Sequence, residues 1–311
     1  MENEVSGIHH ITAIAGNARR NYTFYTTVLG LRFIKKTVNF DDPSTYHFYF
    51  GDETGTPGTI LTFFPWEGIT KGRQGAGIAT EIGYAVPSGS LAFWADRFKQ
   101  HNVPVTGSGT RFGEEYLALE DPDGLPLALI VPSKADMRKP WETAEVKAVD
   151  ATRGFHGITL TLHSVAETAR VLTAIFGYTL AQQDGNRYRY IAPDIEGAST
   201  VDLLELPGAP RAVNAGGTIH HVAFRVKDEE TLMRYREKVV AHGLGITPKI
   251  DRNYFFSLYF REPGGVLFEL ATDNPGFAVD EPVNELGTHL KLPPQYESRR
   301  ADIEKILPSL T

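Results

Sequence analysis

Residues 117–129, LALEDPDGLPLAL, lie over residues 258–270, LYFREPGGVLFEL, with coincident residues at Leu117 and Leu258, Pro122 and Pro263, Gly124 and Gly265, Leu129 and Leu270. Each stretch reads as a strand, a tight Pro-Gly turn and a returning strand. Internal repetition of this kind decides a fold before any motif does. Upstream of the two stretches an alternating run, GIATEIGYAVP from Gly77 and GTIHHVAFRVK from Gly217, leads into helical patterns over residues 90–101 and 228–242. IHHITAIAG from Ile8, a helix over 18–29 and the strands YHFYFGD and GTILTFF make a further copy. FHGITLTLHS from Phe155, a helix over 165–176 and the strands RYRYIAP and TVDLLEL make the fourth.

Every copy reads strand, helix, then two or three strands, which is a βαβββ unit. One such unit of about 50 to 60 residues leaves a sheet face uncovered and buries too little apolar surface to stand alone. The units must therefore pair. The expected fold is α+β, with four βαβββ modules pairing into two cup-shaped half-barrels. Modules one and two form the N-terminal half, 1–131, and modules three and four the C-terminal half, 155–271. The charged segment 132–154 has neither strand nor helix period and reads as a linker. The tail 272–311, with two Pro-rich stretches and a short helix over 297–307, is expected to wrap the surface.

The chain of 311 residues has no cysteine, which excludes disulfides, thiolate metal sites and a Cys nucleophile. Any metal must be held by nitrogen and oxygen. The 31 basic and 38 acidic residues give a net charge of -7, against the basic surface that nucleic acid requires. No run approaches the roughly 18 to 20 apolar residues of a membrane span, and MENEVSGIHH lacks the features of a signal peptide. The expectation is a cytoplasmic protein acting on a small molecule, with no nucleic-acid or membrane partner. Sheet pairing between copies leaves a homo-oligomer open.

Successive side chains on a strand face opposite ways, so a one-residue offset changes which histidine meets the cup. In module four Val222, Phe224 and Val226 belong under the helix, which leaves His221, Ala223 and Arg225 concave. Module one superimposes with His10, Thr12 and Ile14 on that face. The same alternation puts Glu81 and Gly157 at the matching places of modules two and three. His156 matches His9 and His220 and is expected to point away from the cup. On the closing strands Glu269 has Glu205 as its counterpart in module three, Ala128 in module two, and Thr62 or Phe63 in module one. One cup would thus hold His10, His221 and Glu269 with a fourth place empty of ligand. Two imidazoles and one carboxylate suit non-haem Fe(II), with Mn(II) next. Glu269 stands between Phe268 and Leu270, and a buried carboxylate needs a compensating partner, which a metal supplies. Phe63, Phe64, Phe224, Tyr254 and Phe256 are candidates for a ring-binding wall.

At these residues the sequence resembles the vicinal oxygen chelate superfamily, and within it the para-hydroquinone ring-cleaving dioxygenases. The resemblance spans nearly the whole chain, from GIHHITAIAG through TIHHVAFRV and DRNYFFSLYFREPGGVLFELATD to LPPQYESRRADIEKILP. It implies a metal held by the second His of each doublet and the Glu of the last strand, which are His10, His221 and Glu269 here. It also implies that Arg252, Tyr259, His9, Thr12 and His220 surround that metal. Seven residues separate Arg252 from Tyr259, so both can line one cup only if the segment bends, bulges or spans a turn.

The implied reaction is cleavage of a small dihydroxylated aromatic ring by dioxygen on Fe(II), with Arg252 opposing anionic charge and Tyr259 donating a hydrogen bond or a proton. Two other classes fit the same cups. One is a glyoxalase-like isomerase or lyase, which ordinarily takes a fourth protein ligand. The other is a metal-free protein that sequesters a hydrophobic small molecule.

Overall fold

The computed structural model describes residues 4–310. Each repeat supplies four strands. Module one has β1 (Ile8–Ala15), β2 (Arg32–Val38), β3 (Tyr46–Gly51) and β4 (Ile60–Pro65). Module two has β5 (Ile78–Ala85), β6 (Val105–Arg111), β7 (Glu114–Glu120) and β8 (Pro126–Ile130). Module three has β9 (Phe155–Leu162), β10 (Thr179–Asp184), β11 (Arg187–Ile191) and β12 (Thr200–Glu205). Module four has β13 (Thr218–Val226), β14 (Ile250–Asp251), β15 (Phe255–Arg261) and β16 (Leu267–Pro275). A helix follows the first strand of each: α1 (Ala18–Thr23), α2 (Leu91–Gln100), α3 (Ala166–Arg170) and α4 (Glu229–Ala241). A π-helical turn extends α1 over Phe24–Val28 and α3 over Val171–Ile175. Asn17 and Asp228 cap α1 and α4 with side-chain oxygens, which answers amide hydrogens that have no partner inside the helix.

The strands form two eight-stranded sheets, ordered β14-β15-β16-β13-β1-β4-β3-β2 and β10-β11-β12-β9-β5-β8-β7-β6. Module one therefore shares a sheet with module four, and module two with module three. The join is antiparallel between first strands in both cases, β1 with β13 and β5 with β9. Apolar side chains on the helix side of each sheet build the core, as where Tyr25 packs on Phe63 with ring centroids 4.6 Å apart and Phe176 on Phe224 at 4.6 Å. Phe63 and Phe224 are thus spent on the core, and neither forms the ring-binding wall.

The repeated stretch explains its own composition. Asp121 Oδ1 accepts from the backbone N–H of Asp123 and Leu125, and Glu262 accepts from Gly264 and Val266 in the same way. Each carboxylate also takes a hydroxyl from a neighbouring module's helix, Tyr25 for Asp121 and Thr168 for Glu262. Gly124 and Gly265 close these turns at φ of 84° and 102°, a region that side chains rarely enter.

Segment 132–154 has no helix or strand, yet it packs closely: Val146 is buried, and Arg138 donates to the carbonyls of Gly58 and Phe155. The tail covers module one. Lys35, fully buried on β2, is paired with Asp280 and Glu281 at 2.6 Å each. Tyr296 donates to the Phe40 carbonyl, and Phe277 stacks on Tyr254 behind the cup. The expected terminal helix is the 3-10 turn Pro294–Arg299 followed by α5 (Arg300–Ile306).

Candidate metal centre

Alternation fails at both histidine doublets, for a specific reason. Along the β1–β13 seam Ile8 faces Phe224 and His10 faces Ala223, so His9 is an unpaired extra residue. Further along, Thr12 faces His221 and Ala13 faces Ile219, which leaves His220 as the extra residue of the other strand. A bulge of this kind bends the strand and re-aims a side chain. His9 and His220, expected under the helices, therefore sit beside their neighbours, with ring centroids 5.1 Å apart in each doublet.

The bulges bring His10 and His221 across the seam to Glu269, which the parallel pairing of β13 with β16 sets beside Ala223. Nε2 of His10 and of His221 are 3.4 Å apart, and they lie 3.2 and 2.9 Å from Glu269 Oε2. One metal bound at about 2.0–2.1 Å holds adjacent donors about 2.9–3.4 Å apart. Glu269 is fully buried, and its Oε2 receives no hydrogen bond, while Ser257 donates to Oε1 at 2.5 Å. An orphaned buried carboxylate oxygen facing two imidazole nitrogens is the arrangement a cation would complete.

The bulged His9 fixes the tautomer of His10. His9 Nε2 is 3.0 Å from the Thr272 carbonyl and must donate to it, so its Nδ1 accepts from His10 Nδ1 at 2.9 Å. Burial first, and His10 next, keep His9 neutral by pushing its pKa well below the ordinary value. The His10 Nε2 lone pair is left facing Glu269. The His220–His221 pair repeats the contact between Nδ1 atoms at 2.8 Å. Such outer partners set the orientation and basicity of ligating imidazoles. His9→Phe should therefore keep the fold and lower metal affinity about 10- to 100-fold, read by competition against a chelator.

The place left open at the sequence level is Thr62. It faces Tyr49 on β3 as Glu269 faces Tyr259 on β15. Thr62 Oγ1 meets Thr12 Oγ1 at 2.8 Å and His47 Nε2 at 3.0 Å, and His47 Nδ1 lies 3.0 Å from the Tyr49 hydroxyl. His47 was not singled out from the sequence. Its signal is a shared spacing: it precedes Tyr49 by two, as Ser257 precedes Tyr259. Arg252 and Tyr259 do meet, because Arg252 lies in the turn between β14 and β15, next to Asn253 at φ 67°. The guanidinium carbon is 5.3 Å from the Tyr259 ring centroid and 5.5 Å from that of Phe40.

These groups line a cavity of about 270 Å³ that includes His10, Thr12, His47, His220, His221, Arg252 and Tyr259. Of the aromatic candidates only Phe64 lines it. Phe40, Trp66, Phe255 and Tyr49 supply the other rings, while Tyr254 packs behind the wall and Phe256 lies outside the cavity. The size suits one small ring, just below the usual 300–1,000 Å³ of ligand pockets.

The second cup is closed by ion pairs. Gly157 and Glu81 do hold the places of His10 and His221, and Ala128 that of Glu269. The module-three place belongs to Asp202, opposite Thr159, rather than to Glu205. The similar contexts of Glu205 and Glu269 do not reflect the register; Glu205 instead accepts from the Val165 N–H at the start of α3. His156 also corrects expectation. It is the bulged residue of β9, faces inward and lies 3.1 Å from Glu114. Arg111 pairs with Glu81, and Arg189 with both Glu114 and Asp202. About 10 Å³ remains, and a Cβ on Gly157 would come within 2.4 Å of the Thr200 carbonyl oxygen.

Comparison with known proteins agrees with this architecture. The family described as the Glyoxalase/Bleomycin resistance protein/Dioxygenase superfamily matches residues 7–129 and 154–270. The chain is 45% identical over 98% of its length to MhqO of Bacillus subtilis (strain 168), provisionally named a ring-cleaving dioxygenase, and spans 96% of that protein. It is 35% identical to the chlorohydroquinone/hydroquinone 1,2-dioxygenase of Sphingobium indicum, covering 97% of this chain and 96% of that one. A crystal structure of a provisionally named dioxygenase from Bacillus subtilis superimposes with a TM-score of 0.95 at 44% identity, over 100% of this chain and 99% of that one. No helix among the described residues is long and apolar enough to cross a membrane.

Proposed function

Because the chain belongs to the Glyoxalase/Bleomycin resistance protein/Dioxygenase superfamily, we propose that it is a ring-cleaving dioxygenase that opens a hydroquinone-type ring with both atoms of dioxygen. His10, His221 and Glu269 would hold Fe(II), with Mn(II) the next choice. The observation that carries this reading is the convergence of three buried donors on one point, with Glu269 Oε2 left without a hydrogen bond. Two imidazoles and one carboxylate, with positions to spare, are the ligand set of non-haem iron oxygenases. The hydroxyl of Thr62, where a fourth ligand could have stood, weighs against a glyoxalase-like site. The name of the Sphingobium indicum protein adds a substrate class, hydroquinones.

Bound iron would bring a ring oxygen and dioxygen together and carry electrons between them. The remaining work falls to this chain's side chains. Phe64, Phe255, Trp66 and Leu267 exclude water and hold a flat ring. Arg252, among the described residues, has no carboxylate partner, so its charge is available to an anionic ring oxygen. Tyr259 stands against His221, ring centroids 5.5 Å apart; burial, with Glu269 next, pushes its phenol up, which keeps the hydroxyl as a donor. His220, half-buried beside His221, and Thr12 complete the polar side of the cavity.

The test is oxygen uptake by iron-loaded protein with hydroquinone and its methylated and halogenated derivatives. One dioxygen consumed per ring, with a new absorbance from a ring-opened unsaturated product, is the expected result. Binding of the ring without oxygen uptake under any metal would overturn it.

A further inference from the structure

Resting on the ring-cleavage reading, we propose that His47 is the proton store at the end of a relay in this site: through the hydroxyls of Thr62 and Thr12 it takes a ring hydroxyl proton and later returns it to the product. The reaction adds both atoms of dioxygen and expels no other atom. A proton removed when the ring binds must therefore be kept nearby until the ring has opened.

The cavity offers one continuous path. Thr12 Oγ1, Thr62 Oγ1 and His47 Nε2 are joined by contacts of 2.8 and 3.0 Å. His47 Nδ1 lies 3.0 Å from the Tyr49 hydroxyl; the relay uses the tautomer in which Nδ1–H donates to that hydroxyl and Nε2 accepts from Thr62. The ring O–H bond breaks as Thr12 gains that proton, Thr12 passes its own to Thr62, and Thr62 passes its own to Nε2. The result is an anionic ring oxygen and a doubly protonated imidazole, and the reverse sequence protonates the product. No redox partner is needed.

Position supports the assignment. His47 and Ser257 occupy matching places, each two residues before the tyrosine that faces the closing strand. Ser257 serves the carboxylate of Glu269, whereas His47 serves the hydroxyl at the corner that has no protein ligand. The imidazole is buried, lines the cavity and is clamped between the rings of Tyr49 and Phe64 at 4.2 and 4.4 Å. Positioned proton transfer of this kind contributes about 10²- to 10⁴-fold.

His47→Gln, His47→Ala and Thr62→Val should be loaded with iron and assayed for oxygen uptake with hydroquinone, beside their metal content. We expect full metal content in all three and kcat lowered about a hundredfold, the lower end of that range. We also expect the acid limb of the kcat profile, which burial and the neighbouring His10, Arg252 and His221 set below the ordinary imidazole range against the opposing pull of Glu269, to be lost in His47→Gln, and added imidazole to restore part of the activity of His47→Ala. Wild-type activity with His47→Gln or Thr62→Val within about threefold of it would overturn the relay while leaving ring cleavage intact. Loss of activity with an unchanged pH profile and no imidazole rescue would also overturn it. A wild-type protein that consumes no oxygen would remove the ring-cleavage reading itself.

Discussion

His10→Ala protein is expected to bind no iron and to consume no oxygen, while His156→Ala protein retains both. The two histidines occupy neighbouring places in related modules, so the pair of variants separates the cups. His10 Nε2 is one of three donors within 4.8 Å of one another, and with it gone only His221 and Glu269 remain. His156 is engaged with Glu114 in a cup whose other places hold Glu81, Gly157, Ala128 and Asp202, with no second imidazole. Its loss should appear as lowered thermal stability, because Glu114 would keep only Arg189 as a buried side-chain partner. Metal analysis after anaerobic loading, together with oxygen uptake, reads both outcomes. Metal retained in His10→Ala and lost in His156→Ala would transfer the site to the second sheet.

Arg252→Met should lower kcat/KM about 10²- to 10³-fold with metal content unchanged, the effect typical of removing one preorganised charge donor. The contrast between cups carries this expectation. Arg111, in the corresponding hairpin of module two, spends its charge on Glu81 at 2.5 Å. The place that Glu81 holds in module two belongs to His221 in module four, which is not an acid, and the Arg252 guanidinium stays against the rings of Phe40 and Tyr259. Arg252→Lys keeps the charge but loses the planar stack, and only partial recovery is expected. Arg111→Met should leave turnover alone and lower stability, since it leaves the Glu81 carboxylate partly buried and unpaired. Equal activity of Arg252→Met and wild type would remove Arg252 from the site.

Much of this was legible in the chain. Coincidence of Pro122 with Pro263 and Gly124 with Gly265 was enough to define the modules, because the turn they close is geometrically restrictive. Alternation then placed His10, His221 and Glu269 on one face. What it could not deliver was the bulge, which inserts one residue without disturbing the apolar pattern on either side. Strict alternation therefore turned His9, His220 and His156 to the wrong face, whereas the resemblance had already put His9 and His220 near the metal. The closing strands failed differently. Glu205 and Glu269 are similar in context, but the parallel pairing puts Asp202, three residues earlier, opposite Thr159. Sequence context does not encode that register. Thr62 was named only as an alternative to Phe63, and His47 escaped notice because it is not a ligand; the hydrogen bond between them required the structure. The tail was read as a wrapping segment; the full burial of Lys35 against Asp280 and Glu281 required the structure.

The most direct measurement is an anomalous-difference map, collected at the iron absorption edge, from a crystal of anaerobically iron-loaded protein. One peak per chain, within about 2.0–2.3 Å of His10 Nε2, His221 Nε2 and a Glu269 oxygen, is the predicted result. A peak in the cup of Glu81, His156 and Asp202, or no peak beside an intact His10–Glu269 contact, would contradict it.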